Sequence, residues 1–238
     1  MTIIKRAYTM LCATVIYCSL SNAQDVSVEN YLQQAAYYAE MYNGKIEEIY
    51  NAVLYKELPY YKNAEFTETT IVYKNKIYPN QKARLDLFRE QLAVVSPEKQ
   101  YAIVVGSSNV GKIYMYGKTF VWLTPPKDSR LTPGYYMQLF EGKEIQLFCK
   151  EKYTPRKSLE NEYTVFYFDY KIRYYLLYNN RYYTVKNKAL FVKLFPQYKK
   201  YINKFVKDHQ LNFRQNPAES LASLAAYCEE LTNSTNKQ

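Results

Sequence analysis

The sequence predicts an α+β fold: a predominantly antiparallel β-meander of about ten strands, curved or partly closed, followed by C-terminal helices. Three observations carry this reading. From Phe66 to about residue 186, short segments of alternating character are broken by polar turns. In residues 84–88, for example, Leu85 and Leu87 alternate with Arg84 and Asp86, the period of a strand with one buried face. Tyrosine is abundant, with 29 in 238 residues, and its apolar ring and wet hydroxyl suit a pleated, half-buried surface. After Asn187 the period becomes that of amphipathic helices, so strands precede helices as in an α+β domain.

The chain opens on a targeting segment. Lys5 and Arg6 make a positive start, residues 7–20 are mostly apolar, and Ser21-Asn22-Ala23 supplies small residues, which predicts a signal peptide over 1–23 cleaved after Ala23. The apolar run is short for a membrane span. Cys18 follows the bulky Tyr17 rather than a small residue, which disfavours lipid attachment. Residues 24–65 read as an N-terminal helix and an extended lead-in. The helix is expected over 25–42, with Tyr31, Leu32, Ala35, Tyr38 and Ala39 on one side and Asn43-Gly44 as its stop. Residues 44–63 are ambiguous, and Pro59 limits any regular element there.

A single domain is expected over 66–231. Its first strands fall near 67–73, 76–87, 92–96, 99–105, 112–116 and 118–123. Pro125-Pro126 and Pro133-Gly134 bound a loop, since prolines cannot continue a ladder. Strands at 134–140 and 143–153 follow, then a polar connection over 154–161. The aromatic run 163–178 reads as one bent strand or two, and Asn179-Asn180 joins it to 181–185 as a two-residue hairpin. A helix over 188–195 stops at Pro196. Tyr198, Tyr201, Ile202, Phe205 and Val206 then form a helical stripe, and Asn216-Pro217-Ala218-Glu219 starts a third helix. Residues 232–238 are a polar tail.

Charge and cysteine content bound the function loosely. The formal charge is +10, and about +8 remains once the leader is gone. The lysines are scattered rather than blocked, as on an ordinary soluble surface, and export argues against a nucleic-acid partner. Beyond the leader only Cys149 and Cys228 remain. Both fall on apolar periods, so they read as two buried free thiols.

The segment 106–112 (GSSNVGK) matches the G-x-x-x-x-G-K core of a phosphate-binding loop after the apolar run 101–105, and Asp169 ends a second apolar run. Ile113, however, stands where a metal-binding hydroxyl is needed. Residues 113–122 alternate like a strand instead of starting a helix that could receive phosphate. The reading is a glycine-containing hairpin loop with no role for Lys112 in phosphate binding. His209 is the only histidine and sits at the end of a lysine-rich helix, where a cation suits the dipole. With so few ligands a zinc site is not expected. Asp86 with Glu90, and Glu141 with Glu144, are the carboxylate pairs available for acid–base chemistry. Both flank turns, where solvated charges are ordinary.

The order and spacing of 73–79 (YKNKIYP), 84–92 (RLDLFREQL), Gly134-Tyr135-Tyr136, the hairpin into Val185-Lys186-Asn187-Lys188, Leu194-Phe195-Pro196 and Leu211-Asn212-Phe213-Arg214 resemble a family of uncharacterised exported proteins common in Bacteroidota. The resemblance covers roughly residues 55–230. The second hairpin of that family usually has a glycine where this chain has Asn75. The resemblance implies export and one fold unit; with no established activity in the family, it implies no functional residues.

The functional expectation is an exported, non-enzymatic binding or structural protein of the periplasm or outer surface, with no catalytic, cofactor or metal residues assigned. Two alternatives stand beside it: a carboxylate-based hydrolase acting on carbohydrate, and an accessory subunit of an outer-membrane assembly. The expected partner is an envelope protein or a glycan, and no membrane span is expected after the leader. Both alternating sets of 163–178 are largely apolar or aromatic, whereas a one-sided sheet shows polar residues on its open face. Either the C-terminal helices cover one face, or some tyrosines stay exposed as a patch. In the second case Tyr174 and Tyr175 are the candidate ligand-binding residues.

Overall fold

A computed structural model describes residues 40–98, 101–126, 129, 131–160 and 162–235. The expected signal peptide, most of the expected first helix and the end of the tail lie outside these residues. The described chain forms one open, eleven-stranded sheet in which every paired strand is antiparallel. Its strands are β1 (Lys45–Ile46), β2 (Thr67–Tyr73), β3 (Lys76–Asp86), β4 (Gln91–Val95), β5 (Ala102–Val105), β6 (Val110–Met115), β7 (Lys118–Leu123), β8 (Gly134–Glu141), β9 (Ile145–Glu160), β10 (Tyr163–Tyr178) and β11 (Arg181–Val185). Three helices follow: α1 (Lys188–Leu194), α2 (Lys199–Asp208) and α3 (Pro217–Thr235). This is the α+β meander that the sequence predicts, with one departure from simple order. The spatial sequence is β1-β5-β4-β3-β2-β6 and then onward to β11, so the chain crosses back from β5 to β6 beside β2.

Local chemistry sets the turns. Lys74 and Asn75 join β2 to β3, and Asn179 and Asn180 join β10 to β11, all four with positive φ. That is the mirror-image turn whose twist matches the strands it connects. Residues 106–109 form a connection with one 3-10 turn, Ser107–Asn109, and Lys112 lies within β6. No helix begins there.

One large core lines the inner face from β2 to β9, built around Ile71, Leu85, Leu92, Ile113, Phe120 and Tyr135. A second lies between the sheet and the helices, joining Ile145, Leu147, Leu176 and Val185 to Phe191, Phe195, Ile202, Leu221 and Leu224. Of the expected α2 stripe, Ile202 is buried and Phe205 and Val206 are half-buried, but Tyr201 is exposed. Asn187 caps α1 by accepting from the Ala189 N–H at 2.9 Å. Glu229 of α3 accepts from the backbone N–H groups of Lys143, Glu144 and Ile145 at 2.7–3.2 Å, locking the helix onto the β8–β9 turn. A Cβ on Gly142 would lie 2.7 Å from that carboxylate, so the turn needs glycine for close approach.

Two expectations change. The polar stretch 154–161 is not a connection: β9 runs through to Glu160, paired residue by residue with the single long strand β10. Its polarity reflects exposure, not a break, and Pro155 is tolerated because β8 pairs with β9 only through Cys149 and leaves that edge free. The second concerns residues 44–63, which are neither helix nor simple coil. Besides β1, they make isolated bridges from Tyr55 to Phe166 and from Tyr60 to Asp86, laying the lead-in across both β10 and β3.

Candidate interaction surface

The lead-in changes the character of the carboxylates near the β3–β4 turn. Arg84 and Asp86 point away from the main core, yet the lead-in covers them. Arg84 forms a two-pronged pair with Glu47 at 2.8–2.9 Å, and its guanidinium lies over the rings of Tyr60 and Phe66 at 4.5 and 4.3 Å. Asp86 accepts from the Tyr50 hydroxyl at 2.7 Å and from the N–H groups of Phe88 and Arg89 at 2.9 and 2.8 Å. Burial raises its pKa, and those hydrogen bonds oppose the rise.

Glu90 reaches across to accept from Lys150 at 2.5 Å and from the Tyr135 N–H at 2.7 Å. Burial pushes Glu90 up and Lys150 down in pKa, and their attraction opposes both shifts. Gly134 beside them has φ +154°, a conformation side chains rarely adopt, and a Cβ there would also displace the Glu90 carboxylate at 2.5 Å. The expectation that Asp86 and Glu90 are solvated turn charges is therefore corrected: both are enclosed and partnered within the fold. Glu141 does stay exposed, bound to Lys112 at 2.6 Å. That contact gives Lys112 an ion-pair role.

The remaining singled-out residues have structural settings. His209 caps the end of α2, its ring 4.2 Å from that of Phe205. Cys149 and Cys228 are buried free thiols, each pushed up to about 12 by burial. Tyr174 and Tyr175 lie on opposite faces of β10. Tyr175 is buried beneath Leu131 of the proline loop, with Tyr136 and Phe148. Tyr174 is half-buried on the inner face, against both larger cores. The two rings are not brought together.

The open surface lies further along the same strands. Beyond Cys149 and Tyr174, β9 and β10 pair only with each other, apart from the lead-in bridge at Phe166. Residues 150–160 and 163–173 thus form a two-stranded ribbon about 35 Å long by the rise per residue. A bare hairpin is marginally stable in water. This one is braced on one edge by the lead-in. Phe166 N–H donates to the Leu54 carbonyl at 2.7 Å, Lys56 N–H to the Phe166 carbonyl at 3.0 Å, and the Tyr55 ring stacks 5.0 Å from Phe166.

Apolar side chains stay exposed on both partners of this brace. On the ribbon they are Leu159 (74%), Tyr163 (71%), Tyr170 and Ile172; on the lead-in, Ile49 (80%), Val53 (71%), Leu54 and Leu58. One face of the ribbon is also cationic. Lys152 and Lys171 are register partners and both exposed, with Arg173 one row nearer the base on the same face. Arg156, nearer the tip, lies 3.4 Å from Asp169 and over the Tyr167 ring at 5.3 Å.

Hollows lined by described residues open elsewhere. One of about 410 Å³ is lined by Lys45, Glu48, Arg89 and Gln91, and one of about 540 Å³ by Asn187, Val192, Asn203 and Phe213. Neither is lined by a carboxylate pair of the kind glycoside hydrolysis uses. Among the described residues no three His, Cys, Asp or Glu side chains gather as metal ligands would, and no helix is long and apolar enough to cross a membrane. Comparison with known protein families, curated proteins and solved structures found no match.

Sequence reasoning did not find the ribbon, because the polarity of 154–161 resembles a loop. One signal was available: the spacing that makes 163–178 a strand of sixteen residues demands an equally long partner.

Proposed function

We propose that this chain is an exported, non-enzymatic binding protein of the cell envelope, and that the ribbon with its bracing lead-in is the contact surface. The observation that carries the reading is the concentration of exposed apolar side chains on these two segments. Monomeric soluble proteins scatter such residues singly, whereas clusters mark interaction sites. The lysine–arginine start, apolar run and small residues of 1–23 support export.

The test replaces Ile49, Val53 and Tyr163 by serine together. All three are largely exposed, so melting should be unchanged. Tagged protein cross-linked in the envelope of its producing cell should run in a larger species, and the triple variant at its free mass. Identical behaviour of the two proteins would show that this surface is not the contact.

A further inference from the structure

Resting on the binding function proposed for this surface, we propose that the cationic face of the ribbon holds an acidic polysaccharide, with Lys152, Lys171 and Arg173 on its carboxylate or sulfate groups and the exposed Tyr163 toward the tip beneath a sugar ring. Lys152 and Lys171 stand directly opposite each other in the β9–β10 register, and both are exposed. Like charges in that position weaken an antiparallel pair. Among the described residues no carboxylate lies within ion-pair distance of Lys152, Lys171 or Arg173. The next cation toward the base, Lys150, is by contrast neutralised by Glu90 at 2.5 Å. The surplus is therefore local to the outer ribbon.

An external anion removes the repulsion, and the shape of the face selects its kind. Successive rows on one face lie about 7 Å apart, so Arg173, Lys171, Asp169 and Tyr167 follow one another over about 20 Å, with Asp169 paired to Arg156 at 3.4 Å and the Tyr167 hydroxyl donating to Glu160 at 2.6 Å. A line of unpaired cations with the exposed ring of Tyr163 further out on the same face matches an extended chain that carries both charge and ring faces. An anionic lipid surface fits less well. Toward the ribbon tip Glu160 and exposed Glu162 are balanced by exposed Arg156 and Lys157, so the surplus is confined to the line of Lys152, Lys171 and Arg173 rather than spread over a plane of headgroups.

The experiment uses the full mature chain with polygalacturonate and dextran sulfate as probes, neutral dextran as a blank, and phosphatidylglycerol vesicles as the competing surface. Both polyanions should bind, neutral dextran should not, and vesicles should bind at least tenfold more weakly. The variant K152Q/K171Q/R173Q should lose at least about tenfold in affinity, and its salt slope should fall by about two to three. A control variant, K199Q/K200Q/K204Q on α2, should retain affinity. Equal loss in the two triple variants would mean diffuse charge attraction and overturn the site. Vesicle binding as strong as polyanion binding would overturn the glycan in favour of lipid. Absence of polyanion binding by the native chain would refute the glycan, and the serine variant of Ile49, Val53 and Tyr163 judges the contact surface independently.

Discussion

The base and the outer half of the β9–β10 pair are one continuous ladder of hydrogen bonds, yet they live in different surroundings. At the base, Leu147 and Leu176 are fully buried beneath the C-terminal helices, and Phe148 and Tyr175 beneath Leu131 on the opposite face. Further out, Val165 is buried and Phe168 is buried against Tyr50 and Tyr60 of the lead-in, whereas Ile172, Tyr170 and Tyr163 stay exposed. Strand formation is thus set by the ladder, whereas burial is set by what else the chain brings to each face. Only the outer half has surface to offer a partner.

This comparison predicts opposite responses to like substitutions. Leu176→Ala at the base should cost about 2–5 kcal/mol, the range for a leucine truncated in a packed core. Ile172→Ala, four residues away on the same face, should cost about 0.5 kcal/mol or less. Urea denaturation of the two variants measures both. Similar losses at the two positions would mean that the ribbon is covered after all.

The charged residues divide in the same way. Lys150 sits where the base ends, and its partner Glu90 comes from the distant β3–β4 turn. Lys150→Met should cost about 3 kcal/mol, because it leaves a mostly buried carboxylate without its cation. Adding Glu90→Gln should recover part of that loss, since the lone charge is then gone while the amide can still accept from the Tyr135 N–H. A double variant no more stable than the single one would mean that Lys150 acts through packing alone.

Much of this was legible in the sequence, for identifiable reasons. Leu85 and Leu87 announce a buried face by alternation alone, and Asn179-Asn180 announces its hairpin by tolerance of positive φ. Asn216-Pro217 marks a helix start by its cap residue and first-position proline. What the sequence hid depends on contacts distant along the chain. Asp86 and Glu90 are polar residues at a turn, and nothing local says that Tyr50 and Lys150 will enclose them. Strand alternation puts the adjacent Tyr174 and Tyr175 on opposite faces, but only the tertiary arrangement sets one against the helix-covered core and the other under the proline loop. The lead-in, with almost no regular structure, decides several of these outcomes and has no periodicity to read.

The smallest predicted effect tests the ribbon where stability and binding pull apart. If Lys152 and Lys171 repel across the ladder, Lys152→Gln should stabilise the protein, by about 0.2–1 kcal/mol. The gain should shrink as salt rises, because both ammonium groups are exposed to solvent. It should also shrink when polygalacturonate is present at saturation, since the bound anion already relieves the repulsion in the native chain and the variant binds it less tightly. Melting curves of the native chain and Lys152→Gln, at low and high salt and with and without the polyanion, give all four comparisons. A destabilised variant at low salt would mean that the lysine stem packs on the ribbon and contributes more than its charge costs. In that case the opposed pair no longer points to an anion.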